Sequence, residues 1–127
     1  MPKSWRERCL SYPNLMFGRA VKNARDRALK RGLDFAIDRE YVQNLFEQQS
    51  GLCYYSGIEM NIVKESSDIR IDPFKMTLDC IDSNLGYTKG NVVWCTYCVN
   101  SLKQKMTCEE LLYVCESVVN HSPSIIK

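Results

Sequence analysis

Between Asn14 and Arg31 the apolar residues Leu15, Phe17, Ala20, Val21, Ala24, Ala28 and Leu29 recur at three- and four-residue steps. That period predicts an amphipathic helix, and Gly32 follows it as a C-cap. A second helix is predicted from Asp38, a side chain suited to an N-cap, with Tyr41, Val42, Leu45 and Phe46 turned inward and Gly51 ending it. The stretch LCYYSGIEM reads as a short extended segment broken at Ser56-Gly57, and residues 61 to 75 as a loop with room for one short strand.

The alternation from Met76 to Asp82 (MTLDCID) predicts a strand, NLGYTKGN a glycine-punctuated loop, and the β-branched and aromatic VVWC a second strand, which together make a hairpin. A helix follows over Tyr97 to Lys105. Thr107 with Glu110 then forms a capping box for a last helix to about Val119, with Leu111, Leu112, Val114, Cys115 and Val118 on its apolar side. The tail HSPSIIK is expected to fray. This order predicts an α+β fold: a helical N-terminal region (1–50), a core with the hairpin and C-terminal helix (51–119) and a tail (120–127), in one compact domain.

Composition narrows the class. A chain of 127 residues, 45% hydrophobic and 25% charged, is an ordinary globular one, and no apolar run approaches the roughly 20 residues of a membrane span. The N-terminus, MPKSWRERCLSY, has no apolar signal core, so the expectation is a soluble protein of the cytoplasm, the host's if the chain is viral. Seven cysteines, an odd number, favour reduced thiols or metal ligands over a disulfide framework. The net charge of +2 is unevenly spread: residues 1 to 31 hold nine Lys/Arg against Glu7 and Asp26, and the rest of the chain is acidic. A polyanionic partner fits this asymmetry. Arg19, Lys22, Arg25 and Arg27, within about two and a half turns, could follow a phosphate backbone, and Lys89 and Lys103 join them as DNA-binding candidates. The plainer alternative is a solvated helix face.

GLCYYSGIEM, LDCIDSNLGYTKGNVVWCTYCVNSLK and MTCEEL together resemble the HNH, or ββα-metal, nuclease family, particularly phage and restriction-type members with a Leu-Asp-Arg-x-Asp, Gly-Tyr, Asn pattern. RDRALKRGLDFAIDREYVQNLFEQQSG resembles the helical lead-in of phage members, so the resemblance covers most of residues 24 to 112. It implies a ββα core with one hard cation, magnesium or manganese, held at the scissile phosphate by an oxygen from the first strand and another from the helix. By position the strand ligand is Asp79, the helix ligand Asn100 and the family's loop asparagine Asn91, with both ligands expected near the surface. Most of the family places its base, a histidine, where this chain has Cys80; His121, the only histidine, lies outside the motif. In an arginine-bearing subgroup a Gly-Tyr tyrosine is implicated in the chemistry, and Tyr87 matches it. With reference pKa values near 8.5 and 10, Cys80 or Tyr87 could serve only weakly as a base. The competing roles are a buried strand thiol for Cys80, loop packing for Tyr87 and loop-tying hydrogen bonds for Asn91.

Many relatives carry CxxC twice around a structural zinc. Here Cys95 and Cys98 form one pair, but Cys53 is followed by Ser56 in CYYS, leaving three evident ligands. The favoured reading makes these cysteines small apolar fillers. The function expected is a metal-dependent endonuclease on double-stranded DNA, phage-encoded or of homing or restriction type, away from membranes and compatible with a homodimer. One rival is an HNH-fold DNA-binding protein that lost cleavage with its histidine. Another is a protein-binding module whose basic face meets an acidic partner.

Overall fold

A computed structural model of the chain describes residues 13–61 and 72–124, with side chains described from residue 17 onward. Phe17, Val21, Ala24 and Ala28 are buried along one face of α1 (Pro13–Arg31). The helix ends as its sequence dictates: Gly32 takes φ +66°, and Leu33 N–H donates to the Ala28 carbonyl at 2.9 Å, closing a Schellman turn. α2 (Arg39–Gln48) starts where the Asp38 carboxylate accepts from Tyr41 N–H at 2.8 Å, and it buries Val42 and Phe46.

Strands β1 (Met76–Cys80) and β2 (Val92–Thr96) pair antiparallel, with Leu78 opposite Trp94 and Asp79 opposite Val93. Trp94 is the centre of the core. Its ring meets Phe17 of α1 and Phe46 of α2 edge-on at 5.9 and 5.7 Å between centroids, and its indole N–H donates to the Val42 carbonyl. One apolar cluster therefore joins both N-terminal helices to the hairpin. α3 (Tyr97–Lys103) leaves β2 directly and packs back on both strands, ending where Gln104 adopts φ +45°. α4 (Cys108–His121) opens with the capping box of Thr107 and Glu110, both hydrogen bonds being made. The fold is thus α+β, with the strand-loop-strand-helix order expected of residues 76 to 103. No helix of the described residues is long and apolar enough to cross a membrane.

Two expectations need correction. The apolar side assigned to α4 is buried only at Leu111, while Leu112 and Val118 are 64% and 53% exposed and Cys115 is exposed. The reason is placement: among the described elements α4 packs on α3 more than on either strand, so most of its length runs past the core that its period predicts. The first residues of the tail do not fray, since Ser122–Ser124 continue as a 3-10 turn. The loop expected before β1 lies largely outside the described residues, at 62–71; its described ends meet in a parallel bridge between Asn61 and Lys75.

Candidate active site

The period of two along β1 puts Thr77 and Asp79 on one face, and the helical period puts Asn100 and Lys103 on one face of α3. These faces meet. Asn100 Nδ2 donates to Thr77 Oγ1 at 3.3 Å, and Lys103 Nζ lies 3.2 Å from Asp79 Oδ2. The same Asp79 oxygen accepts the Tyr55 hydroxyl at 2.7 Å. Lys103 is fully buried, donating also to the Cys80 carbonyl at 3.2 Å and lying 5.8 Å from the centre of the Tyr55 ring. Among the described residues Asp79 Oδ1 and Asn100 Oδ1 carry no hydrogen bond, so each candidate ligand keeps a hard oxygen donor.

Lys103 is therefore not a DNA-binding residue: no part of it reaches solvent, and its ammonium is committed to Asp79. Nor is Asp79 at the surface, being 8% exposed. Burial, and next the neighbouring Asp79 carboxylate, push the Tyr55 phenol well above its ordinary value, so it stays a hydrogen-bond donor to Asp79.

Between β1 and β2 the loop is held by Asn91. Its Oδ1 accepts from Asp82 N–H at 2.9 Å, and its Nδ2 donates to the carbonyls of Asp82 and Gly86 at 3.0 and 2.7 Å. Asn91 thus shapes the loop and lines neither of the two clefts formed by the described residues. Gly86, at φ +83°, lies so close to the Asp34 carbonyl that a Cβ there would come within 2.5 Å of it. Tyr87 follows, donating its N–H to that same carbonyl, while its own carbonyl accepts from Ala36 N–H. This fixes the Tyr87 side chain, 4% exposed, under α1, where Arg27 Nε donates to its hydroxyl at 2.9 Å.

A cleft of about 500 Å³ opens between α1, β1, the loop and α3. Asp79, Cys80, Tyr87 and Asn100 all line it, together with Arg27 and Arg31. A second cleft of about 290 Å³ adjoins it, sharing Arg27, Leu78 and Asn100 and adding Arg19, Asn23 and Lys75. The cation stripe facing this groove is thus Arg19, Arg27 and Arg31 rather than the four residues read from spacing. Arg25, about 120° round the helix from Arg19, sits instead over the Phe35 ring at 5.3 Å. Lys22 is exposed and lines neither cleft; Lys89 is exposed at the loop tip over Tyr41. Arg31, which hydrogen-bonds the Ser83 carbonyl, and Lys105 were missed, although Arg31 stands one turn beyond Arg27.

Cys80 occupies the place of the family's histidine, but burial, and next the charge of Asp79, push its thiol up to about 11 despite Arg31 and Arg27 nearby. That shift favours the protonated thiol at neutral pH and makes Cys80 a poorer base than a free thiol. The zinc candidates do not converge. Cys53 and Cys98 flank Thr96, whose hydroxyl donates to Cys53 Sγ and accepts from Cys98, while Cys95 is on the opposite face of β2 beside Thr77. Burial pushes the Cys95 thiol up to about 12. Burial raises Cys53 too, but hydrogen bonds from Ser56, Thr96 and Tyr55 outweigh it and its thiol is lowered overall. All six described cysteines are free, and among the described residues no three His, Cys, Asp or Glu side chains are grouped to hold a metal.

No family model matches the chain, and no solved structure matches it. It is similar to an uncharacterized 29.0 kDa protein in the dda-modA intergenic region of Enterobacteria phage T4, at 34% identity over 94 residues. The aligned part is 74% of this chain and 34% of the phage protein, so the chain spans about a third of that relative's length.

Proposed function

We propose that the chain is a metal-dependent DNA endonuclease of the HNH type. One observation carries the reading: Asp79 from β1, Tyr87 from the loop and Asn100 from α3, picked out by motif, line a single cleft with the α1 arginines. Magnesium or manganese would be held through the remaining oxygens of Asp79 and Asn100, and would supply charge stabilisation at the leaving 3′ oxygen. The protein's own part is placement. Lys103 and Tyr55 fix the Asp79 carboxylate, Thr77 fixes the Asn100 amide, and Arg19, Arg27 and Arg31 line the groove as a cationic rail for the phosphate backbone. Similarity to a phage T4 protein fits a phage-type nuclease acting in a host cytoplasm.

A second reading, DNA binding without cleavage, is favoured by two specific features. Cys80 is a protonated thiol where the family has its base, and the Lys103 ammonium already neutralises Asp79. Plasmid nicking with magnesium or manganese, beside a gel shift in EDTA, separates the two. Nicking supports the nuclease, a shift without nicking supports the binding protein, and a protein that gives no nicking and no shift would end both readings.

A further inference from the structure

The Arg27–Tyr87 contact has a direction. Arg27 Nε donates to the Tyr87 oxygen at 2.9 Å, with the guanidinium carbon 5.5 Å from the ring centre, so the phenolic hydrogen must point away from the arginine. Among the described residues that hydrogen meets no acceptor, although Tyr87 is 96% buried on the wall of the cleft, given its 4% exposure. A buried hydroxyl hydrogen without a partner is costly, and one aimed beside a guanidinium is suited to an anion. The Nη groups of Arg27 likewise have no other partner among the described residues.

We propose that Arg27 and Tyr87 form a phosphate-binding pair, in which Arg27 supplies charge and orients Tyr87 as a hydrogen-bond donor to a phosphoryl oxygen. The pair makes Tyr87 a donor and not a proton acceptor, and it assigns Arg27 to the cleft itself. That the phosphate belongs to a nucleic acid rests on the nuclease or DNA-binding reading; the pair itself does not.

Two arms test it, both in EDTA. In the first, a fluorescent 20-base-pair duplex is titrated against the protein and its variants over a range of salt. Tyr87→Phe keeps the ring under Arg27 and should weaken binding about 10-fold without changing the salt slope, because the lost donor is neutral. Arg27→Gln should lower the slope by close to one unit. The double variant should lose less than the two singles together, because each leaves the other misplaced. In the second arm, inorganic phosphate is added to the parent at constant ionic strength while the Arg27 Nε–H NMR signal is followed. A saturable shift, smaller in Tyr87→Phe, is expected.

Duplex affinity unchanged by Tyr87→Phe overturns the pair and leaves DNA binding standing. Should the parent bind no duplex, the phosphate arm decides: a saturable shift keeps the pair while the nucleic-acid reading fails, and no shift overturns both. Thermal melting checks each variant's fold, and Arg27→Gln, at an exposed helix position, serves if Tyr87→Phe unfolds.

Discussion

Lys103 Nζ and Asp79 Oδ2, 3.2 Å apart, form an ion pair in which the lysine is fully buried and the aspartate side chain is 10% exposed. The pair joins α3 to β1 and fixes the carboxylate on which the proposed site depends. Breaking such a pair from one side strands a buried charge and costs about 3–5 kcal/mol. Lys103→Met should therefore lower stability by roughly 3 kcal/mol, as read from urea denaturation. Asp79→Ala should cost a similar amount, so loss of cleavage in that variant alone does not identify a ligand. A Lys103→Met protein as stable as the parent would contradict the buried pair.

The loop between the strands depends on Asn91. Its side chain makes three hydrogen bonds, two of them to the Asp82 backbone and one to Gly86, the residue before Tyr87. Asn91→Ala leaves those groups partly unsatisfied and is expected to cost about 2–4 kcal/mol. Because the bonds define the loop, hydrogen exchange at residues 82–90 should accelerate in this variant more than exchange in α1. Uniform acceleration would mean that Asn91 acts on the whole fold.

Two buried thiols predict how stability changes at high pH. Folding raises Cys80 from an ordinary 9.0 to about 11 and Cys95 to about 12, so the folded state holds both protons longer than the unfolded chain does. Their stabilising effect is complete below about pH 9 and is lost as pH rises through 11 and 12. Cys80→Ala should fall less steeply than the parent between pH 9 and 11 in urea midpoints. Identical slopes would show that Cys80 ionises as freely folded as unfolded.

The groove-facing stripe makes a different prediction from helix spacing alone. Arg31→Gln should reduce the salt slope of duplex binding by close to one unit, while Arg25→Gln, at a residue stacked on Phe35, should leave it nearly unchanged. The reverse ranking would place the DNA on another face of α1.

Local chemistry carried most of the secondary structure. The apolar period of α1, the Asp38 cap, the Thr107–Glu110 box and the alternation of β1 and β2 each depend on near neighbours in the chain, and each is found where its residues put it. What could not be read depends on register and tertiary placement. Lys103 looks like a surface cation until the meeting of α3 with β1 sets it against Asp79. Helical spacing puts Arg25 and Arg27 on nearly opposite sides of α1, but only the packing shows which side meets the hairpin: Arg25 stacks on Phe35 and Arg27 reaches Tyr87. The α4 stripe signals burial, but nothing local says that the core ends before it.

Nicking of supercoiled plasmid by the parent and by Asn100→Ala, run together in magnesium and in EDTA, tests the proposed site most directly. Asn100 is partly exposed, and among the described residues its Nδ2 makes a single long hydrogen bond, to Thr77, so the variant should keep the parent's melting temperature. Nicking by the parent in magnesium and none in EDTA are expected, with a loss in Asn100→Ala of at least about 100-fold, the scale on which removing a charge-stabilising group acts. A folded Asn100→Ala protein that nicks as fast as the parent, or a parent that nicks with neither magnesium nor manganese, would contradict the proposed site.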